Sequence, residues 1–446
     1  MTALRMPSLR TLLLGAASLP FLSGCMVGPN YHRPSAVISA HFKEAPPPAG
    51  WNKAQPDLAL MPKGDWWTIF NDPLLNDLEE RVATSNQSLK EYEAQYRKAA
   101  ATINSIKASL YPTLSGNFSF NRNSQGSSAT STSGGFTYSS SQSYTSNTWA
   151  TGPSASWTVD VWGKVRRQIQ EQVAATQGDA ALVASMRLSY QLTLAQDYFS
   201  LRYQDSLIDL YARNVGLYRD NLKILQNQLD AGVADPTSVL QAKYLLQSTE
   251  ASLANAHIAR AQYEHAIAML TGRAPADVTI ATALLPKTLP PAPVALPSMI
   301  LERRPDVAQA ERNMEAYNAE IGYAIGAFFP EITLSASYGY SGNPLQQLTQ
   351  TATRTWGLGA AETQTIFQGG ARTAAVREAE ADYDNAVATY RQTVLAAMPD
   401  TEDHMSNLHY LAQQLTPQNQ AVDSAHAAGR VSMNEYLSGP QIYPPV

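Results

Sequence analysis

The residues of this chain that could do chemistry are few and scattered. Cysteine occurs once, as Cys25, so neither an internal disulfide nor a CxxC redox or metal site can form. The seven histidines include no pair at i, i+4, the spacing a metalloprotease helix requires. Gly163-Lys164 lacks the upstream glycine of a phosphate-cradling loop, and neither GxSxG nor GxGxxG occurs. The remaining Asp, Glu and His are dispersed along helix-patterned segments and read as solvated surface. No catalytic residue, cofactor or metal is expected, and the chemistry left to Cys25 is modification of its own thiol.

Cys25 follows Arg5, Arg10 and an apolar stretch from Leu12 to Leu22. That stretch is about half of the roughly 20 residues a spanning helix needs, so it reads as the core of a signal peptide over 1–24. No other segment is long and apolar enough to span as a helix. Leu22-Ser23-Gly24-Cys25 resembles a bacterial lipoprotein box, which implies a mature chain starting at an acylated Cys25. Met26 follows rather than Asp, and by the lipoprotein sorting rule this implies the outer membrane. A net charge of −5 and only 15% charged residues give no basic face, so nucleic acid is excluded as a partner.

The chain is organised as two copies of one plan. Residues 25–71 form a Pro/Ala-rich extended lead. Asp72-Pro73 opens a helix running to about Leu110, with Leu74, Leu78, Val82 and Leu89 on one face. A strand pair over 112–160 follows. In its first run Leu114, Gly116, Phe118 and Phe120 alternate with Thr113, Ser115, Asn117, Ser119 and Asn121; in its return run Ala155, Trp157 and Val159 alternate with Ser154, Ser156, Thr158 and Asp160. Between them, residues 121–147 are so rich in Ser, Gly and Thr that an exposed loop is expected. Strands of this length and pattern fit either a membrane-crossing wall or a soluble hairpin.

A proline-free helix over 163–231 would be roughly 100 Å long at about 1.5 Å per residue, more than a compact domain can hold. Its Tyr211, Val215, Tyr218, Leu222, Leu225 and Leu229 recur at spacings of four and three, as a coiled-coil seam requires. Gly232 ends it, Asp235 can cap a return helix over 236–271, and a Pro-rich linker closes the first repeat (72–297). The second repeat (298–446) has its own helix from Arg304-Pro305, a strand pair over 330–367 and a further long helix. A turn is expected at 428–432, where Ser432 with Glu435 could form a capping box.

These stretches resemble the outer-membrane efflux factor family, the TolC-like ducts, and within it the OprM/NodT lipoprotein branch. The matching residues are 25–34 (CMVGPNYHRP), 65–75 (DWWTIFNDPLL), 301–307 (LERRPDV), 321–330 (IGYAIGAFFP) and the two glycine turns. The resemblance implies an α+β fold in which each chain gives four strands to a trimeric, twelve-stranded outer-membrane β-barrel continued by a long α-helical coiled-coil tube. A homotrimer agrees with barrel physics, since about eight strands is the fewest that close and an open edge in lipid leaves backbone groups unsatisfied. It implies passive export of drugs or other small molecules, driven by an inner-membrane pump through a periplasmic adaptor. The adaptor would dock on Gly232, Val233 and Asp235 and on Gly429, Arg430, Val431 and Ser432.

The second repeat departs from the first. From Gly163 to Gly232 is 69 residues, whereas from Gly370 to Gly429 is 59, so a shortened long helix is expected, and the return helix is missing. Only Asp423 stands near the place where the family narrows its closed mouth, so no gate residue is assigned. Pro399 sits inside the long helix, and Glu362 and Gln364 share a strand face with Trp356, Leu358, Ala360 and Ile366 unless a register change turns Glu362 inward. These features leave open a defective, truncated duct. A periplasmic coiled-coil lipoprotein and a protein-secretion duct are also compatible with the residues.

Overall fold

The computed structural model describes residues 26–35, 64–286, 304–343, 345 and 350–438. The expected signal peptide, Cys25, most of the expected lead, the Pro-rich linker and residues 439–446 lie outside them. The elements run α1 (Pro73–Ser85), α2 (Gln87–Ala108), β1 (Thr113–Ser133), β2 (Phe136–Val159), α3 (Lys164–Asp230), α4 (Pro236–Leu270), α5 (Pro305–Gly326), β3 (Glu331–Gly342), β4 (Arg354–Thr363) and α6 (Ala371–Leu437), with short 3₁₀ turns between. The chain divides into two compact units. One holds all four strands with the adjoining helix ends; the other holds α1, α4 and the remainders of α2, α3, α5 and α6.

In the first unit the strands form one antiparallel sheet in the order β1-β2-β3-β4. The expected strand pairs are present, but 121–147 is not a loop. The ladder continues from Asn121↔Thr148 to Ser133↔Phe136, making strands of 21 and 24 residues. The hairpin closes on Gly134 and Gly135 at φ +61 and +85. Both central residues of a type I′ turn need positive φ, so the Gly-Gly pair supplies the hairpin signal that bulk composition hid. Threonine and tyrosine in the flanking runs suit strands as well.

The second unit is built on a core of Trp67, Leu75, Leu78, Val82, Leu194, Tyr198, Leu201, Ile267, Leu270 and Ile280. Asp72 caps α1 as expected, its Oδ1 accepting from the backbone N–H groups of Leu74 and Leu75 at 3.0 and 3.2 Å. The single helix expected from Asp72 to Leu110 is broken at Asn86, whose backbone is extended (ψ 122). Its side chain donates to the Leu270 carbonyl at 2.8 Å and caps α2 by accepting from Leu89 N–H at 2.9 Å. A tertiary contact thus decides where the first helix stops. Arg202 and Arg260 flank buried Asp205 and donate to the carbonyls of Ala281 (2.7 Å) and Ile280 (2.6 Å), fastening the extended segment after α4 to α3.

The second repeat departs from expectation at α6. This helix runs unbroken through Pro399, Pro417 and the expected turn at 428–432, and its 67 residues equal the 67 of α3, so it is not shortened. The reason is local. In the first turn Gly232 adopts a left-handed φ of +74 and Asp235 caps a new helix starting at Pro236, whereas Gly429 keeps a negative φ and stays helical. Gly429 then costs only about 1 kcal/mol as an interior helix residue.

Candidate functional site

The register sorts the sheet's side chains onto two faces. Leu114, Phe118, Phe120, Trp149, Ala155, Trp157, Val159, Ile332, Leu334, Ala336, Tyr338, Tyr340, Trp356 and Leu358 share one face. Ser115, Asn117, Ser154, Ser156, Thr158, Thr333, Ser335, Ser337, Gly357 and Gly359 share the other. On that second face serine hydroxyls of β1, β2 and β3 and the glycines of β4 line a groove of about 420 Å³. The glycines leave room for the hydroxyls: a Cβ at Gly359 would lie 2.7 Å from Ser335 Oγ and displace it, and one at Gly357 would lie 3.3 Å from Ser337 Oγ, a tight contact.

The apolar face is exposed where it is largest. Leu114, on one edge strand, is 77% exposed, and Trp356 and Leu358, on the other, are 70% and 78% exposed. An apolar surface of this extent marks contact with lipid or another protein. Its two ends carry aromatics. At one end Trp149 contacts the rings of Phe118 and Phe120 at 5.7 and 4.4 Å, and Tyr338 meets Tyr340 edge-on. At the other, Trp162 stacks on Phe329 at 4.9 Å, and the indole N–H groups of Trp157 and Trp162 donate to the Leu110 and Pro330 carbonyls at 3.0 and 2.9 Å. Amphipathic rings at both limits of an apolar band are the pattern of a membrane-spanning wall.

Glu362 remains on the apolar face, because the β3–β4 ladder is unbroken from Tyr340↔Arg354 to Glu331↔Thr363 and no register change turns it inward. It is, however, the penultimate residue of β4, level with Ile332 at the sheet's lower end. There a charged group facing lipid costs about 0–1 kcal/mol, against about 2–4 at mid-depth. Gln364 and Ile366 have left the strand, and Gln364 Nε2 donates to the Phe328 carbonyl at 2.9 Å. The polar residues of β4 are therefore no sign of decay.

Cys25 lies outside the described residues, but the five residues after it are held tightly. Arg167 of α3 donates to the carbonyls of Val27 and Gly28, both at 2.9 Å, and to Asn30 Oδ1 at 3.2 Å, while Asn318 of α5 donates to the Pro29 carbonyl. Gly28 adopts φ +91, and a Cβ there would fall 2.4 Å from Gly322 Cα. Gly163, at φ +77, leaves room for Met26 beside Trp162. The clasp joins the first repeat to the second through residues 26–30 and sets Met26 at the aromatic end of the strands. Arg167, Asn318 and Gly322 were missed by sequence reasoning, since no local pattern links them to residues 26–30.

The turn after α3 forms as expected. Gly232, at φ +74, donates to the Leu229 carbonyl at 2.9 Å, and Val233 donates to Gln228 at 2.9 Å, the bond pair of a Schellman cap. Asp235 Oδ1 accepts from Thr237 N–H and caps α4. Val233 stands 70% exposed at this tip. Gly429, Arg430, Val431 and Ser432 form no such turn, being interior to α6.

Sheet faces, aromatic ends and helices entered directly from strand ends define a class, the ducts that cross a bacterial outer membrane. Comparison with known proteins agrees. The chain belongs to the outer membrane efflux protein family, which matches residues 78–273 and 296–441. It is 26% identical over 430 residues to the solvent efflux pump outer membrane protein SrpC of Pseudomonas putida, covering 96% of this chain and 89% of that protein. It is 28% identical to nodulation protein T of Rhizobium leguminosarum bv. trifolii (94% and 86% covered), and 25% to the probable outer membrane lipoprotein SilC of Salmonella typhimurium (97% and 90%). The outer-membrane channel OprN superposes with a TM-score of 0.78 at 25% identity, over 94% of this chain and 91% of that one.

Proposed function

We propose that this chain is one of three protomers of the outer-membrane exit duct of a tripartite efflux system. The observation that carries the reading is the sheet itself: one lipid-compatible face, one hydroxyl-lined face and two unpaired edges. Four strands cannot close, and open edges in hydrocarbon cost several kcal/mol for each unsatisfied backbone group. Three copies give twelve strands and leave no edge. The hydroxyl face then lines a water-filled lumen through which small molecules leave passively, with energy supplied by an inner-membrane pump.

Acylation of Cys25 would anchor the chain at the inner leaflet, a reading supported by the clasp that holds Met26, the residue after it, at the aromatic end of the strands. A periplasmic adaptor would dock on the turn of Gly232, Val233 and Asp235, where Val233 presents an exposed apolar tip. An enzymatic role has no support in the family's role. A purely periplasmic structural lipoprotein leaves the exposed apolar sheet face without purpose.

The test is expression in a duct-deficient strain. Heat-modifiable trimers in purified outer membranes and restored drug resistance are expected, with Val233→Glu abolishing resistance while trimers persist. A soluble monomer in the periplasm would overturn the reading.

A further inference from the structure

We infer that Glu331 sets the charge preference of the duct's transmembrane lumen, which would favour cationic and neutral small molecules over anionic ones. The inference rests on the lumen reading above and adds a substrate class to it.

Along the hydroxyl face of the described strands, the residues that alternate inward are Thr113, Ser115, Asn117 and Ser119 on β1, with Ser154, Ser156 and Thr158 on β2. Thr333, Ser335 and Ser337 continue the face on β3, and Gly357 and Gly359 on β4. None carries charge. Arg122 and Arg354 fall on the opposite face, two residues along their strands from Phe120 and Trp356, and so does Glu362. Within the described strands the one acidic or basic side chain on the inward face is Glu331, the first residue of β3, in register with Thr363. Its carboxylate is exposed, and the Thr158 hydroxyl donates to it at 3.5 Å.

The neighbouring acid does not share this role. Asp160 accepts from the backbone N–H groups of Val165 and Arg166 at 3.0 and 3.1 Å and pairs with the Arg166 guanidinium at 3.2 Å, so its charge is compensated at the start of α3. Glu331 has no cation paired with it at that end of the sheet among the described residues. In a closed trimer it recurs three times at one level, where a lumen otherwise walled by hydroxyls and glycines meets the helices. A lone sign of charge in such a passage biases the local concentration of mobile ions.

The chain's single native cysteine allows a direct reading of that bias. Ser335→Cys places a thiol on the same face, four residues or about 14 Å from Glu331. Intact cells carrying this variant are treated from outside with a cationic and with an anionic methanethiosulfonate of similar size, and the parent chain gives the background. Labelling about two- to fivefold faster by the cation is expected at moderate salt, falling to parity in Ser335→Cys/Glu331→Gln and inverting in Ser335→Cys/Glu331→Lys. Labelling by neither reagent would overturn the lumen reading, and the inference with it. Equal rates for both reagents, or a preference unchanged by Glu331→Gln, would overturn the role of Glu331 and leave the duct standing.

Discussion

At the scale of single residues, Glu79 sits among Leu75, Leu78 and Val82, fully buried, and neither carboxyl oxygen has a hydrogen-bond partner among the described residues. Burial pushes its pKa up to about 8, so the folded protein holds the proton at neutral pH. The sign follows from linkage. An unfolded chain releases this proton near pH 4.5 and the folded one near 8, so the folded state binds more protons between those values and loses stability as pH rises through that window. Glu79→Leu is therefore expected to stabilise the protein by about 1–3 kcal/mol at pH 8 and by much less at pH 5. Thermal unfolding of the purified variant at the two pH values measures this. Nothing in the sequence distinguished Glu79 from the exposed Glu80 beside it; the helix period alone does not say how wide a stripe the core will cover.

At the scale of elements, β1 and β2 beyond Asn121 and Thr148 pair only with each other, since β3 ends at Gly342 opposite Trp149. Excising residues 124–130 and 139–145, which face one another in the ladder, while keeping Gly134-Gly135 should leave the trimer's heat stability within about 0.5 kcal/mol of the parent. Gel mobility of unheated samples provides the measurement, and loss of the trimer would assign this ribbon a structural part. The contrast between the two helix ends is also an element-scale fact. The sequence places a glycine in both, but only the first has the Asp-Pro pair that fixes a break. Glycine permits a turn without requiring one, which is why the second turn was expected and a helix was found.

At the scale of the whole molecule, depth within the membrane decides what a substitution costs. Leu358 lies in the middle of β4 on the lipid-facing side, opposite Ala336, whereas Glu362 lies at its end. Leu358→Arg should cost about 2–4 kcal/mol and deplete trimers from the outer membrane, while Glu362→Gln should change trimer yield little. Quantifying heat-modifiable trimer for both variants in isolated outer membranes tests the assignment of faces, and equal yields would contradict it.

By itself the sequence determined the α+β plan, the strand faces, the capped start at Asp72 and the turn at Gly232. Each of these rests on periodicity or on chemistry confined to a few neighbouring residues. Tertiary structure alone decided the break at Asn86, which answers to the Leu270 carbonyl 184 positions away. It likewise decided the clasp of Arg167 and Asn318 on residues 27–30. These depend on which distant backbone groups remain to be satisfied once the elements meet, a quantity no local pattern encodes.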